Sequence, residues 1–291
     1  MAARDRIIAV ALGGELHQMF PDFDSGMGRH EQPRVTDYSP ASVAAFRAWL
    51  QAKYSSIDRL NTAAGGSWRG FGEVQPPAGD MLAIPNHART AHYGTYASGI
   101  VPVHGWLWDP QQQIQGLELL VNGRSAGEIW RGFNRLDVYR AVEGVRDPNI
   151  GFRRDLDVAG WEPGSYLLQV VATSAQGRHE IAQRRIHIAG ARTSRWANWW
   201  QRLSARVGFL LARSLNPLPS GKAALDLPLG EQTLVVNPLA RDWNAFRAQQ
   251  VQDYMAKLVD VAAQAGLPRD KLYSHQILPR VNSSWNVDLF A

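Results

Sequence analysis

Glu15 is the residue best placed by its surroundings to do chemistry. It follows an apolar run, Ile7, Ile8, Ala9, Val10, Ala11 and Leu12, across two glycines, Gly13 and Gly14. A continuous Val/Ile/Leu run reads as a parallel strand covered on both faces, and in an eight-stranded α/β barrel the reactive groups sit at the C-terminal ends of strands. A carboxyl group delivered there and partly buried keeps its proton near neutral pH and serves as a general acid. An ordinary loop carboxylate fits the same short signal, because one Glu after a strand is an unspecific motif. A second apolar run, Lys271 to Ile277, carries His275 and Gln276 near its end.

The elements that must hold these runs in place are legible on either side of them. Ser39 is suited to cap a helix with Pro40 in its first turn, where the missing N–H costs nothing. Val43, Phe46, Leu50 and Tyr54 then form a stripe at helical spacing, widened by Ala45 and Trp49. The pattern resumes near Asp58, is interrupted at Gly65 and Gly66, and stops at Pro76 and Pro77. Before the second run, Asp242 is read as an N-cap of a helix whose stripe is Val251, Tyr254, Met255, Leu258, Val261, Ala262 and Ala265. Gly266 and Pro268 end it.

Between these parts the period changes from helical to alternating. Short β-rich runs are expected at Val101 to Trp108, Leu117 to Val121, Ser125 to Trp130, Leu136 to Tyr139, Gly151 to Leu156, Tyr166 to Thr173 and His179 to Ile188. Asn122-Gly123 marks a type I′ hairpin, since both turn positions need positive φ. The strand count is that of an immunoglobulin-like sandwich. Residues 190 to 235 carry Trp196, Trp199, Trp200, Leu203, Val207, Leu210 and Leu211 in an expected basic amphipathic helix, which is read as docking onto neighbouring structure. Pro217, Pro219, Pro228 and Gly230 then mark a linker.

Composition bounds the remaining possibilities. The 291 residues are 45% hydrophobic and 20% charged, as expected of a globular chain. A net charge of +5 is spread among acidic neighbours rather than gathered into a stripe, which argues against a nucleic-acid partner. There is no cysteine, so thiolate metal sites and cysteine nucleophiles are excluded. No stretch is long enough to span a bilayer. The six apolar residues after Arg4, Asp5 and Arg6 are too few for a secretory core, so a cytoplasmic location is favoured.

Two blocks of the chain carry a family resemblance. Phe46-Arg47-Ala48-Trp49-Leu50, Lys53-Tyr54, Asp58, Leu60-Asn61 and Glu73-Val74-Gln75-Pro76-Pro77 form one. Asn237-Pro238-Leu239, Asp242-Trp243, Phe246 and Val251 form the other. In this order they resemble family 42 glycoside hydrolases, the β-galactosidase-like barrel enzymes. The resemblance implies that Ile7 to Leu12 is the fourth barrel strand, Lys271 to Ile277 the fifth, and the β-rich part an insertion between them. It implies that Glu15 is the acid/base, although Gly14 stands where the family has Asn. The wording Gly14-Glu15-Leu16 is similar to that of β-amylases, another barrel glycosidase group. On this basis His17, Gln18, His275 and Gln276 are candidate contacts to sugar hydroxyls, and Trp285 is a candidate stacking platform. Trp68 is read as core before ligand, and His17 with His275 is too small a set for a catalytic zinc.

The expected fold class is α/β plus all-β, a partial (β/α) TIM-barrel segment interrupted by an immunoglobulin-like β-sandwich. The expected domains are 1–92 (barrel segment), 93–190 (sandwich insertion), 191–232 (linker with amphipathic helix) and 233–291 (barrel segment). Glycosidases need two carboxyl groups flanking the scissile bond, and only Glu15 is found. The chain therefore reads as a piece of a longer glycosidase, acting on a carbohydrate substrate without a cofactor or metal and needing missing barrel segments or a companion chain. On that basis it should associate or dissolve poorly when isolated. The alternative is a noncatalytic carbohydrate-binding or adhesive protein built on the sandwich, whose face would use Trp106, Trp108, Trp130, Arg135, Asp137 and Trp161. Asp137 paired with Arg135 or Arg131 to fix a loop is the preferred account of that charge.

Overall fold

Cuts after Ser98 and after Val236 divide the chain into two compact units. The computed structural model describes residues 8–12, 38–78, 88–93, 96–189, 218, 220–226 and 232–274. In chain order its elements are β1 (Val10–Leu12), α1 (Pro40–Tyr54), α2 (Ile57–Ala64), β2 (Ile100–Trp108), β3 (Ile114–Val121), β4 (Arg124–Glu128) and β5 (Trp130–Phe133). There follow α3 (Leu136–Ala141), β6 (Gly151–Asp157), β7 (Gly164–Ser174), β8 (Gly177–Ile188), β9 (Lys222–Leu225), β10 (Gln232–Leu234), α4 (Pro238–Gln264) and β11 (Leu272–Ser274).

The first unit joins the segment before Gly99 to the described residues after Val236. Its helices start where side chains replace missing backbone partners. Ser39 accepts from the Ser42 N–H with Pro40 at the first helical position, and Ser56 accepts from Arg59 to start α2. Gly65 closes α2 at φ +66, a conformation that favours glycine. The α4 helix begins earlier than expected, because Asn237 rather than Asp242 is its cap. The Asn237 amide accepts from the Leu239 N–H and donates to the carbonyls of Thr90 and His92, while Pro238 opens the helix. Asp242 lies one turn inside.

Helices α1, α2 and α4 share one core of Phe46, Leu50, Leu60, Ala64, Val74, Leu239, Ala240, Trp243 and Phe246. Phe46 meets Trp243 edge-on at 4.9 Å between ring centroids, and Trp243 stacks on Phe246 at 5.4 Å. Aromatic pairs in these geometries add about 0.5–1.5 kcal/mol beyond area burial. The distal half of the expected α4 stripe is different, since Tyr254 and Val261 are exposed.

Strands β1 and β11 pair in parallel, with Val10 opposite Leu272, Ala11 opposite Tyr273 and Leu12 opposite Ser274. They form a two-stranded sheet among the described residues. Among the described residues both strands begin later than expected. Ile8 and Ala9 precede β1 in open conformation with Ile8 92% exposed, and Lys271 ends a 3-10 turn instead of opening β11.

Among the described residues the second unit holds two sheets, ordered β10-β8-β7-β3-β4 and β5-β6-β2-β9. All pairings are antiparallel except β10 with β8. The β3–β4 hairpin turns at Asn122-Gly123 with φ of 49° and 77°, the geometry its sequence demands. Three expectations are corrected here. Ser125 to Trp130 is not one strand: Ile129, buried and bonded through its N–H to Leu117, separates β4 from β5, and the two join different sheets. Leu136 to Tyr139 is helical, because Asn134 accepts from the Leu136 N–H and Val138 turns inward onto Val145 and Ile150. The expected linker supplies β9, and β10 straddles its expected end at 232; each is too short to show an alternating pattern, and they are edge strands of the two sheets. The amphipathic helix expected at Trp196 to Leu211 lies outside the described residues.

Candidate functional site

Parallel pairing brings the C-terminal ends of β1 and β11 to one edge, with Leu12 and Ser274 directly opposite. Glu15 follows Leu12 by three positions and His275 follows Ser274 immediately in sequence. Glu15, His17, Gln18, His275, Gln276 and Trp285 all lie outside the described residues.

Within the first unit the conspicuous polar groups are structural. Asp242, 3% exposed, accepts from Lys53 Nζ at 2.5 Å and from the Tyr54 hydroxyl at 2.7 Å, which ties α1 to α4. Burial, then the hydrogen bond to Asp242, pushes the Tyr54 phenol well above the ordinary tyrosine value. Burial also pushes Tyr93, which donates to Asn244 at 2.5 Å, up to about 12. Both phenols therefore stay protonated at neutral pH and cannot act as bases there. Asn61 clamps the backbone of Trp68 from both sides, accepting its N–H at 3.0 Å and donating to its carbonyl at 2.8 Å. The Trp68 ring packs over Gly66 and against the helical core, so its role is packing. Arg47 Nε donates to the Val74 carbonyl at 2.8 Å and fastens the segment after α2 onto α1.

In the second unit Arg135 is buried and held by carboxylates. Its Nε and Nη2 donate to Asp137 at 2.9 and 2.7 Å, and its Nη1 donates to Asp226. The pairing of Asp137 with Arg135 is the loop-fixing contact expected from sequence. The Arg135 hydrogen bond holds the Asp137 carboxyl below the usual range. His104 Nδ1 lies 3.5 Å from Asp226. Trp106 and Trp108 pack on Val138, Val145 and Ile150, Trp161 packs on Tyr166, and Trp130 stands 70% exposed. A cleft lined by Trp108, Asp109, Gln112, Arg131, Asp147 and Asn149 escaped sequence reasoning, because its walls come from three separated segments with no common spacing.

Among the described residues no group of three or more His, Cys, Asp and Glu side chains could hold a metal. No helix among them is long and apolar enough to cross a membrane.

Residues 27–102 match the sequence model of the glycoside hydrolase 42 family, described as beta-galactosidase. A beta-galactosidase of Thermus thermophilus is 30% identical over 145 residues, 48% of this chain and 20% of the relative. Beta-galactosidase BgaA of a Thermus species is 30% identical over the same length and shares. The chain thus spans about a fifth of the length of the curated relatives it matches. No solved structure matches. Its mixed helices and sheets are compatible with part of an α/β barrel, and over about half its length the chain is similar to the beta-galactosidases of glycoside hydrolase family 42.

Proposed function

We propose that this chain carries the acid/base side of a glycoside hydrolase barrel that cleaves an O-glycosidic bond, with β-galactosides as the first substrates to test. The parallel register of β1 and β11 is the observation that supports it. Adjacent parallel strands of a barrel present their C-terminal ends to one pocket, and three residues reach at most about 11 Å. Glu15 therefore starts from the same edge as His275. In this reading Glu15 protonates the leaving oxygen. His17, Gln18, His275 and Gln276 hold sugar hydroxyls, and Trp285 stacks on a ring. The second carboxylate comes from barrel strands beyond these two, in the same chain or a companion, placed about 5 Å from Glu15 for retention or about 6.5–9.5 Å for inversion. The unit between Gly99 and Val236 is then an immunoglobulin-like insertion between the fourth and fifth barrel strands.

The test is hydrolysis by the protein purified from its source in the assembly it forms there, comparing nitrophenyl β-galactoside with an alkyl β-galactoside. Glu15→Gln should lower turnover of the alkyl substrate by about 10²–10⁴, the range of general acid catalysis. The nitrophenyl substrate, whose leaving group needs less protonation, should lose less. Equal turnover of both substrates by wild type and variant removes Glu15 from the mechanism.

A further inference from the structure

We propose that the cleft in the second unit is a binding site for a neutral saccharide. Its volume is about 400 Å³, within the about 300–1,000 Å³ of small-ligand sites. The cleft is lined by Trp108, Asp109, Gln112, Arg131, Asp147 and Asn149, residues that carry an indole, two carboxylates, two amides and a guanidinium. Each hydroxyl of a sugar both donates and accepts, and its C–H face is apolar. A wall offering acceptors, donors and one aromatic plane matches that chemistry. Two carboxylates against one guanidinium disfavour a phosphate or another polyanion.

One feature of the cleft points to a ligand. Asp109 Oδ2 accepts from the Ile114 N–H at 2.7 Å, whereas its Oδ1 is buried with no partner among the described residues. Native folds rarely leave such an oxygen unpaired without an occupant to account for it. Gln112, three residues on, sits at φ +52°. It follows the turn at Pro110 and Gln111, closed by the Gln112 N–H on the Asp109 carbonyl at 3.2 Å, which sets the course of the cleft loop. The polar groups are also held in place. Arg131 Nη1 donates to the Ile114 carbonyl at 2.9 Å, and Asp147 Oδ1 accepts from the Asn149 N–H at 2.8 Å. The site lies wholly in the second unit and does not rest on Glu15.

The experiment titrates the whole chain with tetrasaccharides of β-1,4-galactan, β-1,4-glucan and β-1,4-mannan, and with a polygalacturonate fragment, by calorimetry. At least one neutral tetrasaccharide should bind. Asn149→Ala and Trp108→Phe should each weaken it about fivefold or more, the effect of losing one hydrogen bond or part of a stacking plane. Trp130→Ala, which removes an exposed ring outside the cleft, should leave it unchanged. A melting curve confirms folding, and exposed Asn149 decides the matter where Trp108→Phe fails to fold. Binding of none of the neutral sugars, binding of the polyanion alone, or loss in Trp130→Ala equal to that in the cleft variants overturns the proposal.

Discussion

Removing the Tyr93 hydroxyl should flatten the alkaline limb of stability. In the folded chain burial holds this phenol protonated up to about 12, against 10.0 for a free tyrosine. A folded value above the unfolded one means a stabilising contribution fully present below pH 10 and lost as the pH climbs to about 12, because the unfolded chain releases its proton first. Each pH unit of that gap is worth ~1.4 kcal/mol, so about 3 kcal/mol is at stake between pH 10 and 12. Tyr93→Phe keeps the ring in the core and deletes the titration. At neutral pH it should cost about 1–3 kcal/mol, since the hydroxyl bonds both Asn244, which is half-exposed and can turn to water, and the buried Arg247. Urea unfolding followed by tryptophan fluorescence at pH 7, 10, 11 and 12 reads both quantities. Wild type should lose about 3 kcal/mol more than the variant over the alkaline interval. Tyr54 titrates in both proteins and cancels in the comparison. Parallel pH profiles would refute the claim that burial of this phenol carries the effect.

Other perturbations test the packing and the polar locks. Asp242→Ala should destabilise the first unit by about 2–3 kcal/mol in the same urea series, less than a fully buried pair would cost because the remaining Lys53 is partly solvated, and Lys53→Met should cost at least as much because it leaves the buried Asp242 carboxylate without its cation. Gly105→Ala would place a methyl 2.2 Å from the Ala224 carbonyl and 2.7 Å from the Phe152 ring, so β9 should detach from β2, seen as faster amide exchange at 222–225 at a cost of about 1–3 kcal/mol. Asp137, held below the usual carboxylate range by Arg135, contributes stability present above about pH 4 and lost as the pH falls through its lowered folded value; Asp137→Asn should remove that part of the acid limb, and an unchanged acid midpoint would count against it. Phe46→Ala should cost about 3–5 kcal/mol, measured by the urea midpoint, since the ring is fully buried among Trp49, Trp243 and Phe246.

The residues that carry the family resemblance are those of the helical core and its locks. Phe46, Leu50, Asn61, Asn237, Asp242 and Trp243 each fill the core or satisfy backbone and side-chain partners in the first unit. Their pattern reports a scaffold, and a scaffold can be shared where the chemistry differs. The Gly14-Glu15 pair, which bears on chemistry, is where the sequence departs from the family wording.

Local features of the chain determined the elements whose causes are local: the Ser39-Pro40 helix start, the Asn122-Gly123 hairpin, the Phe46 to Leu50 stripe and the long strands β2, β7 and β8. Caps, turns and periodic apolar faces act within a few residues, so they can be read without the fold. The tertiary structure alone decided that Val10–Leu12 lies beside Leu272–Ser274, that Asp242 faces Lys53 and Tyr54 instead of capping a helix, and that Lys222–Leu225 completes a sheet. Each of these depends on partners about 90 or more residues away along the chain, and short segments carry too little pattern of their own to specify such partners.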